Sequence, residues 1–407
     1  MRRVAASLLA LAAPALAAAG AEGFPRGELV DPIACAAAPG QSYALYLPAL
    51  FSPDRPWPAV VVLDPRGRGK LAAELFRPGA ERWGYVVVSS NNTLSDGPSH
   101  PNLEALKALA AELPRHAVDP RRVVLAGFSG TARAAWSVAA GLGDGVAGVI
   151  GASGALPGPF DEWKQVRFPF FGTAGDADFN WAEMRALQPL LDSIALPNRI
   201  EFFEGGHSWP PPEILTDALG WMEVHAMEAA RRPVDLPLAE ALFREGLAAA
   251  RALEAAGKAF EARRRYLDLA GTFVWLLDAA EAAGAARRLE RDPLAVRQAE
   301  AIARAAREER SYADATVGAL ARRLGERRGQ PPTVSRILAD LRVERLLRTA
   351  AEASERGASA RRMLEIAHVQ LAFYLPRDLE AKGDAPRAQA CKDAASEIRA
   401  RLTRGRI

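Results

Sequence analysis

The stretch "VVLAGFSGTARAAW", Val123–Trp136, places a serine where two opposite structural tendencies meet. Its first half is rich in β-branched and apolar residues, which is typical of a buried strand, and its second half favours a helix. Between the halves, Gly127 and Gly130 bracket Ser129. A tight turn between a strand and a helix can project a serine Oγ as a nucleophile. The alternative is an ordinary loop serine that caps the helix.

The same alternation of short β-rich runs and helical patterns continues over residues 41–230. Runs such as "PAVVVLD", "GYVVVSS" and "FPFFGTAG" are largely apolar, as expected of parallel strands that are buried on both faces. Segments compatible with helices lie between the runs, at 102–113, 131–140, 182–191 and 212–229. The pattern predicts an α/β fold with a doubly wound, mostly parallel sheet, whose ligands bind at the carboxyl ends of the strands.

The character of the sequence changes after residues 231–237, which we interpret as a linker. Residues 238–407 are rich in Ala, Leu, Arg and Glu and hold no strand-like run, so an all-α helical domain is predicted. Two segments resemble each other, "LEAAGKAFEA" at 253–262 and "LEAKGDAPRA" at 379–388. They indicate helix-turn-helix units that resemble degenerate tetratricopeptide repeats. An irregular helical bundle is the alternative.

The beginning of the chain carries the pattern of a secretory signal peptide. Arg2 and Arg3 precede an apolar run at 4–16 that is too short to span a bilayer, and small residues follow it. We expect residues 1–21 to be cleaved on export to a periplasm or out of the cell, leaving an N-terminal extension at 22–40. An uncleaved membrane anchor is the alternative.

Composition limits the classes of partner. The net charge is +3 and charges of both signs are interspersed, so no nucleic-acid-binding stripe is predicted. Cys35 and Cys391 are the two cysteines of the chain. An oxidising compartment would permit a disulfide between them, and two unpaired thiols that pack as small hydrophobes are the alternative.

A serine nucleophile needs a base and an acid that orients the base. Asp176 and Asp178 follow the run "FPFFGTAG", and we prefer Asp178 as the acid because of its spacing from that predicted strand. His207 follows the run "RIEFFE" on a loop that opens with two glycines. The chain order Ser129, Asp178, His207, each residue after a strand, predicts a catalytic triad. A structural loop histidine is the alternative for His207.

An oxyanion hole needs two backbone N–H groups. Gly130, directly after the predicted nucleophile, supplies one of them. The other is expected from the loop "DPRGRG", where Pro65 has no N–H; Arg66 is therefore our choice, with Gly67 second. The side chains of Arg66 and Arg68 are either binders of substrate anions or solvated loop charges.

Four further residues are candidates for substrate binding. Asn91 and Asn92 follow a predicted strand at the active end of the sheet, and turn formation is their alternative role. Trp181 and Trp209 flank the loops of the predicted triad, and core packing is the alternative for both.

The stretches "LDPRGRG", "GYVVVSSNNT", "AGFSGTAR", "GTAGDADFNW" and "EGGHSWPP" together resemble the α/β-hydrolase superfamily, over residues 41–229. The likeness is greatest to exported esterases of the polyhydroxybutyrate-depolymerase, feruloyl-esterase and dienelactone-hydrolase type. It implies an α/β-hydrolase fold and hydrolysis of carboxylic esters through an acyl-serine, without metal or cofactor. The chain departs from the family pattern at Thr131, where glycine is usual, and at Asp64-Pro65, where His-Gly is frequent.

The sequence between the runs "GVAGVIGA" and "FPFFGTAG" leaves little room for a lid. This favours a bulky or polymeric ester substrate, or a cap contributed by the helical domain. One alternative function is a serine peptidase of the oligopeptidase type, although the N-terminal propeller usual in such proteins is not seen in the sequence. Another is a non-catalytic scaffold that binds a protein partner through the helical domain. Neither nucleic acid nor, after signal cleavage, a membrane is expected as a partner.

Overall fold

The computed structural model describes residues 23–95, 100–326 and 330–405. The signal peptide predicted at residues 1–21 lies outside these ranges. Within them, no helix combines the length and the apolar character that crossing a membrane requires. The chain divides into two compact units, and each is described by itself. Unit 1 comprises Met1–Ala174, Leu187–Phe203 and Ser208–Val296; unit 2 comprises Gly175–Ala186, Glu204–His207 and Arg297–Ile407.

One sheet of eight strands forms in the part of the chain that the structure describes, in the order β1-β2-β4-β3-β5-β6-β7-β8. The strands are β1 Leu29–Cys35, β2 Ala38–Tyr46, β3 Trp57–Leu63, β4 Val86–Ser90, β5 Val118–Phe128, β6 Gly148–Ala152, β7 Phe170–Gly175 and β8 Asn198–Phe203. β1 pairs antiparallel with β2, and β2 with β4; the pairs β4–β3, β3–β5, β5–β6 and β6–β7 are parallel.

The apolar runs of the sequence became the central strands. Every residue of β3, β4 and β6 is buried, because helices cover both faces of a parallel sheet. The helices of this part are α1 Gly69–Trp83, α2 His100–Glu112, α3 Gly130–Leu142, α4 Trp181–Ser193 and α5 Pro212–Glu228. The predicted fold class, an α/β fold with a mostly parallel sheet followed by a helical region, is confirmed.

The segment predicted as an N-terminal extension, 22–40, contributes residues 29–35 and 38–40 to the sheet. It contains all of β1 and the beginning of β2. The sequence did not indicate a strand here, because β1 is an edge strand in which only Cys35 is fully buried, so it lacks an apolar run.

The helices after the sheet are α6 Leu236–Ala255, α7 Ala259–Phe273, α8 Ala280–Glu290, α9 Pro293–Ser311, α10 Gly318–Gly325, α11 Val334–Asp340, α12 Val343–Ala350, α13 Glu355–Val369, α14 Leu375–Ala381 and α15 Ala385–Gly405. The helices from α6 onward follow the segment predicted as a linker, 231–237, and unit 1 includes these helices as far as Val296. The physical reason is a shared core: Val224 and Met227 of α5 pack in one cluster with apolar residues of α6, α7 and α8.

The two similar sequence segments form the same kind of helix hairpin. In the first, the N–H groups of Gly257 and Lys258 donate to the carbonyls of Glu254 and Leu253, at 2.9 Å each. In the second, Gly383 and Asp384 donate in the same way to Glu380 and Leu379, at 2.8 Å each. Both glycines have positive φ, 72° and 75°, as the helix-terminating motif requires.

Unit 2 has an apolar core of its own. Its buried residues come from α10 to α15 and from the turns that join these helices, and they include Leu320, Ile337, Leu364, Leu371 and Ile398. These helices hold side chains that contact the loop after β7, as described below.

The structure has both cysteines as free, buried thiols, which is the alternative to the disulfide considered above. Burial raises the pKa of Cys35 and of Cys391 to about 11, with the nearby Glu112 adding to the effect at Cys35. The two thiols therefore remain protonated at neutral pH and pack as small hydrophobes.

Candidate active site

Ser129 stands at the turn from β5 to α3 with φ 56° and ψ −126°. A non-glycine residue in this region is strained, and such strain persists only where the surrounding structure imposes it. The Ser129 N–H donates to the Ala152 carbonyl at 2.7 Å. Gly127 allows the tight turn, because a Cβ there would lie 2.4 Å from the Thr131 carbonyl oxygen. The serine itself is only partly buried.

Thr131 stands at the position where the resemblance led us to expect glycine. Its side chain is fully buried. The hydroxyl accepts the Phe128 N–H at 3.2 Å and lies 2.5 Å from the carbonyl oxygen of Leu63, the last residue of β3. The threonine thus connects the ends of β3 and β5.

Asp178 and His207, both in unit 2, form a hydrogen-bonded pair. His207 Nδ1 lies 2.9 Å from Oδ1 and 3.1 Å from Oδ2 of Asp178. A carboxylate oxygen accepts hydrogen bonds, so Nδ1 of His207 is the donor of this pair. The Asp178 side chain is fully buried and also accepts the Asn180 N–H at 2.8 Å, whereas His207 is 22% exposed.

Asp176, the other predicted candidate for the acid, has a different position. Its Oδ1 accepts the Gly205 N–H at 3.0 Å, and the neighbouring Ala177 N–H donates to the Gly205 carbonyl at 2.9 Å. Asp176 therefore ties the loop after β7 to the loop after β8. Gly175 permits this approach, since a Cβ there would lie 2.3 Å from the carbonyl oxygens of Gly205 and Gly206.

The loop after β3 differs from the prediction for Arg66. Its N–H, predicted to face an oxyanion, donates to Oδ1 of Asp64 at 2.9 Å. The N–H of Gly67, the second choice, donates to the Asp64 carbonyl at 3.1 Å. Both amides are therefore used within the turn, that of Arg66 by the Asp64 carboxylate and that of Gly67 by the Asp64 carbonyl. Gly130, the other predicted donor, is the first residue of α3, so its N–H has no acceptor within the helix.

Asp64 is the centre of this loop. Its fully buried carboxylate is bound by Nε and Nη2 of Arg68, at 2.9 Å each, and by Nε1 of Trp209 at 2.9 Å. Burial acts to raise the pKa of Asp64, but the hydrogen bonds from Arg68, Trp209 and the Arg66 N–H outweigh it, and the pKa is lowered. The Arg68 side chain is accordingly committed to an ion pair, although it was a candidate for binding substrate anions.

Asn91 and Asn92, predicted to contact substrate, use their amides to hold the sheet edge. The side-chain N–H₂ of Asn91 donates to Asp31 at 2.7 Å, and Oδ1 of Asn92 accepts the Ser42 N–H at 2.8 Å. These contacts agree with the loop-ordering alternative, because they fasten the end of β4 to β1 and β2.

Trp181 and Trp209, also predicted to contact substrate, are both core residues. Trp209 is 7% exposed and packs against Phe76 and Phe128 in unit 1. Trp181 is 2% exposed, and the guanidinium of Arg362 lies 3.7 Å from the centre of its ring in unit 2. The sequence had left core packing open for both residues.

Two residues near the Asp178–His207 pair were missed at the level of sequence. The ring of Phe179 lies 4.2 Å from that of His207, centre to centre, and Arg362 donates to the Asp176 carbonyl at 2.9 Å. Phe179 is adjacent to Asp178 in the stretch "DADFNW", and this position could have indicated it. Arg362 carries no signal, because 186 residues separate it from Asp176. Among the described residues, no group of three or more His, Cys, Asp or Glu side chains is placed to hold a metal ion.

No protein-family model matches the chain, and no curated protein matches its sequence. Solved structures do match part of it. One is the S-formylglutathione hydrolase FrmB from Staphylococcus aureus, with 17% identity and a TM-score of 0.39, covering 49% of this chain and 98% of that one. A ferulic acid esterase matches with 16% identity, a TM-score of 0.38 and coverages of 47% and 95%. Esterase LipW from Mycobacterium marinum matches with 17% identity and a TM-score of 0.39, covering 51% of this chain and 82% of that one. These matches each cover about half of this chain.

Proposed function

We propose that this protein is an exported serine hydrolase that cleaves carboxylic esters, with Ser129 as nucleophile, His207 as general base and Asp178 as the acid that orients the base. The observation that carries the proposal is the backbone of Ser129, held at φ 56° on a turn between a strand and a helix. Strain of this kind clusters at active sites. The pairing of His207 with Asp178, at 2.9 Å, supports it independently.

The positions along the chain agree with this assignment. Ser129 directly follows β5, Asp178 follows β7 by three residues, and His207 follows β8 by four. Serine, acid and histidine in this order are the arrangement of α/β-hydrolases. Ligands of such sheets bind beyond the carboxyl ends of the strands, where these three loops begin.

In the proposed reaction, Nε2 of His207 takes the proton of Ser129 Oγ while Oγ attacks the ester carbonyl carbon. The tetrahedral intermediate collapses, its carbon–oxygen bond to the alcohol breaks, and His207 gives its proton to the departing alcohol. Water then attacks the acyl-serine, with His207 again as the base, and the acid and free Ser129 result. Asp178 remains ionised throughout and stabilises the imidazolium.

Gly130 is the proposed donor to the oxyanion through its N–H at the beginning of α3. For Arg66 to be the second donor, its N–H has to leave the Asp64 carboxylate that it binds at 2.9 Å. We keep the expectations of export through residues 1–21 and of a bulky ester substrate as parts of the proposal.

The proposal is tested by turnover of a series of p-nitrophenyl esters, with matched p-nitroanilides to measure amide cleavage. We expect ester hydrolysis by the wild type and a loss of kcat/KM of about a thousandfold or more in Ser129→Ala, because the nucleophile is removed. Ser137→Ala is the matched control, since Ser137 is an exposed serine of the adjoining helix α3. Equal ester turnover in Ser129→Ala and wild type would refute the assignment.

A further inference from the structure

The loops that carry Asp178 and His207 belong to the same compact unit as the helices from Arg297 onward. The loop after β7 therefore has two sets of neighbours within unit 2. One is the loop after β8, which it meets through Asp176 and Gly205. The other consists of helical side chains, which contact the segment Asp176–Trp181 at two points.

Arg362 of α13 makes the first contact. The residue is 1% exposed, and its Nη1 donates to the main-chain carbonyl of Asp176 at 2.9 Å. The guanidinium also lies over the ring of Trp181, 3.7 Å from the ring centre. One arginine thus holds both ends of the short segment in which Asp178 stands.

Two helical carboxylates fix the orientation of this arginine. Nε of Arg362 donates to Oε1 of Glu309 at 2.9 Å, and Nη2 donates to Oε1 of Glu355 at 2.5 Å. Glu309 is fully buried on α9, and Glu355 begins α13. With three nitrogens bound to three different acceptors, the planar guanidinium has one orientation available, which a lysine ammonium cannot reproduce.

Phe179 makes the second contact. Its ring packs against the apolar core formed by α10 to α15. The ring also lies 4.2 Å from that of His207, with an angle of 32° between the planes. Phe179 therefore touches the helical core and the imidazole together, directly beside the residue that binds Nδ1 of His207.

From these contacts we infer that the helical region of unit 2 positions the general base: Arg362 fixes the backbone of the acid loop, and Phe179 fixes the ring plane of His207. This inference rests on the proposed function for its catalytic consequence. The positioning itself is a geometric claim about the Asp178–His207 hydrogen bond. Arg362 and Phe179 are positioning residues, since they act through His207 and Asp178.

The direct test is the proton that His207 Nδ1 donates to Asp178, observed by ¹H NMR in the far-downfield region. Its resonance is assigned by its absence from His207→Gln. We expect Arg362→Lys to lose or strongly broaden this resonance, because lysine keeps the charge beside Glu309 but cannot hold the Asp176 carbonyl and the Trp181 ring together. In ester turnover we expect kcat to fall about 10- to 100-fold with little change in KM, as displacement of a catalytic group by about 1 Å does.

Arg387→Lys is the matched control. Arg387 is also a buried arginine of the helical region, 7% exposed, and it pairs with Asp384 in the same turn at 2.6 Å. This control should keep both the downfield resonance and kcat. Phe179→Leu is the second test variant, since leucine keeps an apolar contact with the helical core but removes the ring from His207. It remains informative if Arg362→Lys fails to fold, as judged by circular dichroism.

The outcomes separate the two claims. A folded Arg362→Lys or Phe179→Leu protein with an unchanged resonance and unchanged kcat would overturn the positioning inference. A wild type that shows the resonance but neither cleaves esters nor reacts with a fluorophosphonate would refute the proposed function. In that case the resonance in the variants still decides the geometric claim.

Discussion

The residues around the end of β5 combine local strain with fully used polar groups. Ser129 has a left-handed φ, and directly after it Thr131 fills a buried position where the resemblance led us to expect glycine. The Thr131 hydroxyl binds the Phe128 N–H and lies near the Leu63 carbonyl, so the turn is held by a side chain as well as by the backbone.

We expect Thr131→Val to lower the free energy of unfolding by about 1–3 kcal/mol, because the buried polar groups of Leu63 and Phe128 lose the hydroxyl. Thr131→Ser keeps the hydroxyl and loses one buried methyl group, which costs about 0.8 kcal/mol. Urea unfolding of the two variants measures the difference. A Thr131→Val protein as stable as the wild type would show that the hydroxyl contributes nothing to the turn.

Asp64 should make stability depend on pH in the acid range. Its pKa is lowered in the folded protein from an ordinary value of 3.8, so the unfolded chain binds its proton first. The stability that ionised Asp64 contributes is therefore present above that value and is lost as the pH falls through the lower, folded pKa. In Asp64→Asn this loss is absent, and the unfolding free energy should fall less steeply between about pH 5 and pH 2.

Urea unfolding at a series of pH values measures this dependence. Asp54→Asn is the control, because Asp54 is an exposed aspartate of the same unit. If Asp64→Asn and Asp54→Asn show the same slope against pH as the wild type, the account of the Asp64 cluster is wrong.

The helices of both units end in a common way where the sequence repeats. α6 and α14 each terminate at a glycine with positive φ, and Ala262 and Ala388 are buried at equivalent places in the helices that follow. Equivalent capping bonds at two distant segments explain why their sequences are similar.

We expect Gly257→Ala to destabilise unit 1 by about 1–2 kcal/mol, because a residue with a Cβ is strained at this φ of 72°. Gly284→Ala is the matched control, since Gly284 lies within α8 with nothing within 4 Å of an added Cβ. It should stabilise by about 0.5–1 kcal/mol, the ordinary gain of alanine over glycine in a helix. The melting temperatures of both variants measure these effects. Equal shifts in melting temperature would contradict the role of Gly257 in ending the helix.

At the scale of the whole chain, some structural elements could be predicted from sequence patterns and others could not. The buried runs that became β3, β4 and β6 were predictable, because burial on both faces demands continuous apolar residues. The edge strand β1 was not, since it has no such pattern. The division of the helices at Val296 was also hidden, because it depends on which helices share a core.

In the candidate site, too, some features could be predicted from local sequence motifs and others depend on the folded structure. The order of Ser129, Asp178 and His207 follows from local motifs, and the pairing of the last two is a finding of the structure. The side-chain amide of Asn91 and the buried ring of Trp209 bind partners distant in sequence. The N–H of Arg66 binds Asp64, two residues away, which the spacing of the loop did not reveal. Spacing along the sequence therefore did not reveal the internal hydrogen bonds of these groups.

The most direct test of the central claim is the intact mass of the purified protein after treatment with a fluorophosphonate. We predict a single covalent adduct on the wild type and none on Ser129→Ala, because an activated serine displaces the fluoride and keeps the phosphonyl group. His207→Gln should react far more slowly, since the base is removed. No adduct on the folded wild type, or an equal adduct on Ser129→Ala, would contradict the assignment of Ser129 as the nucleophile.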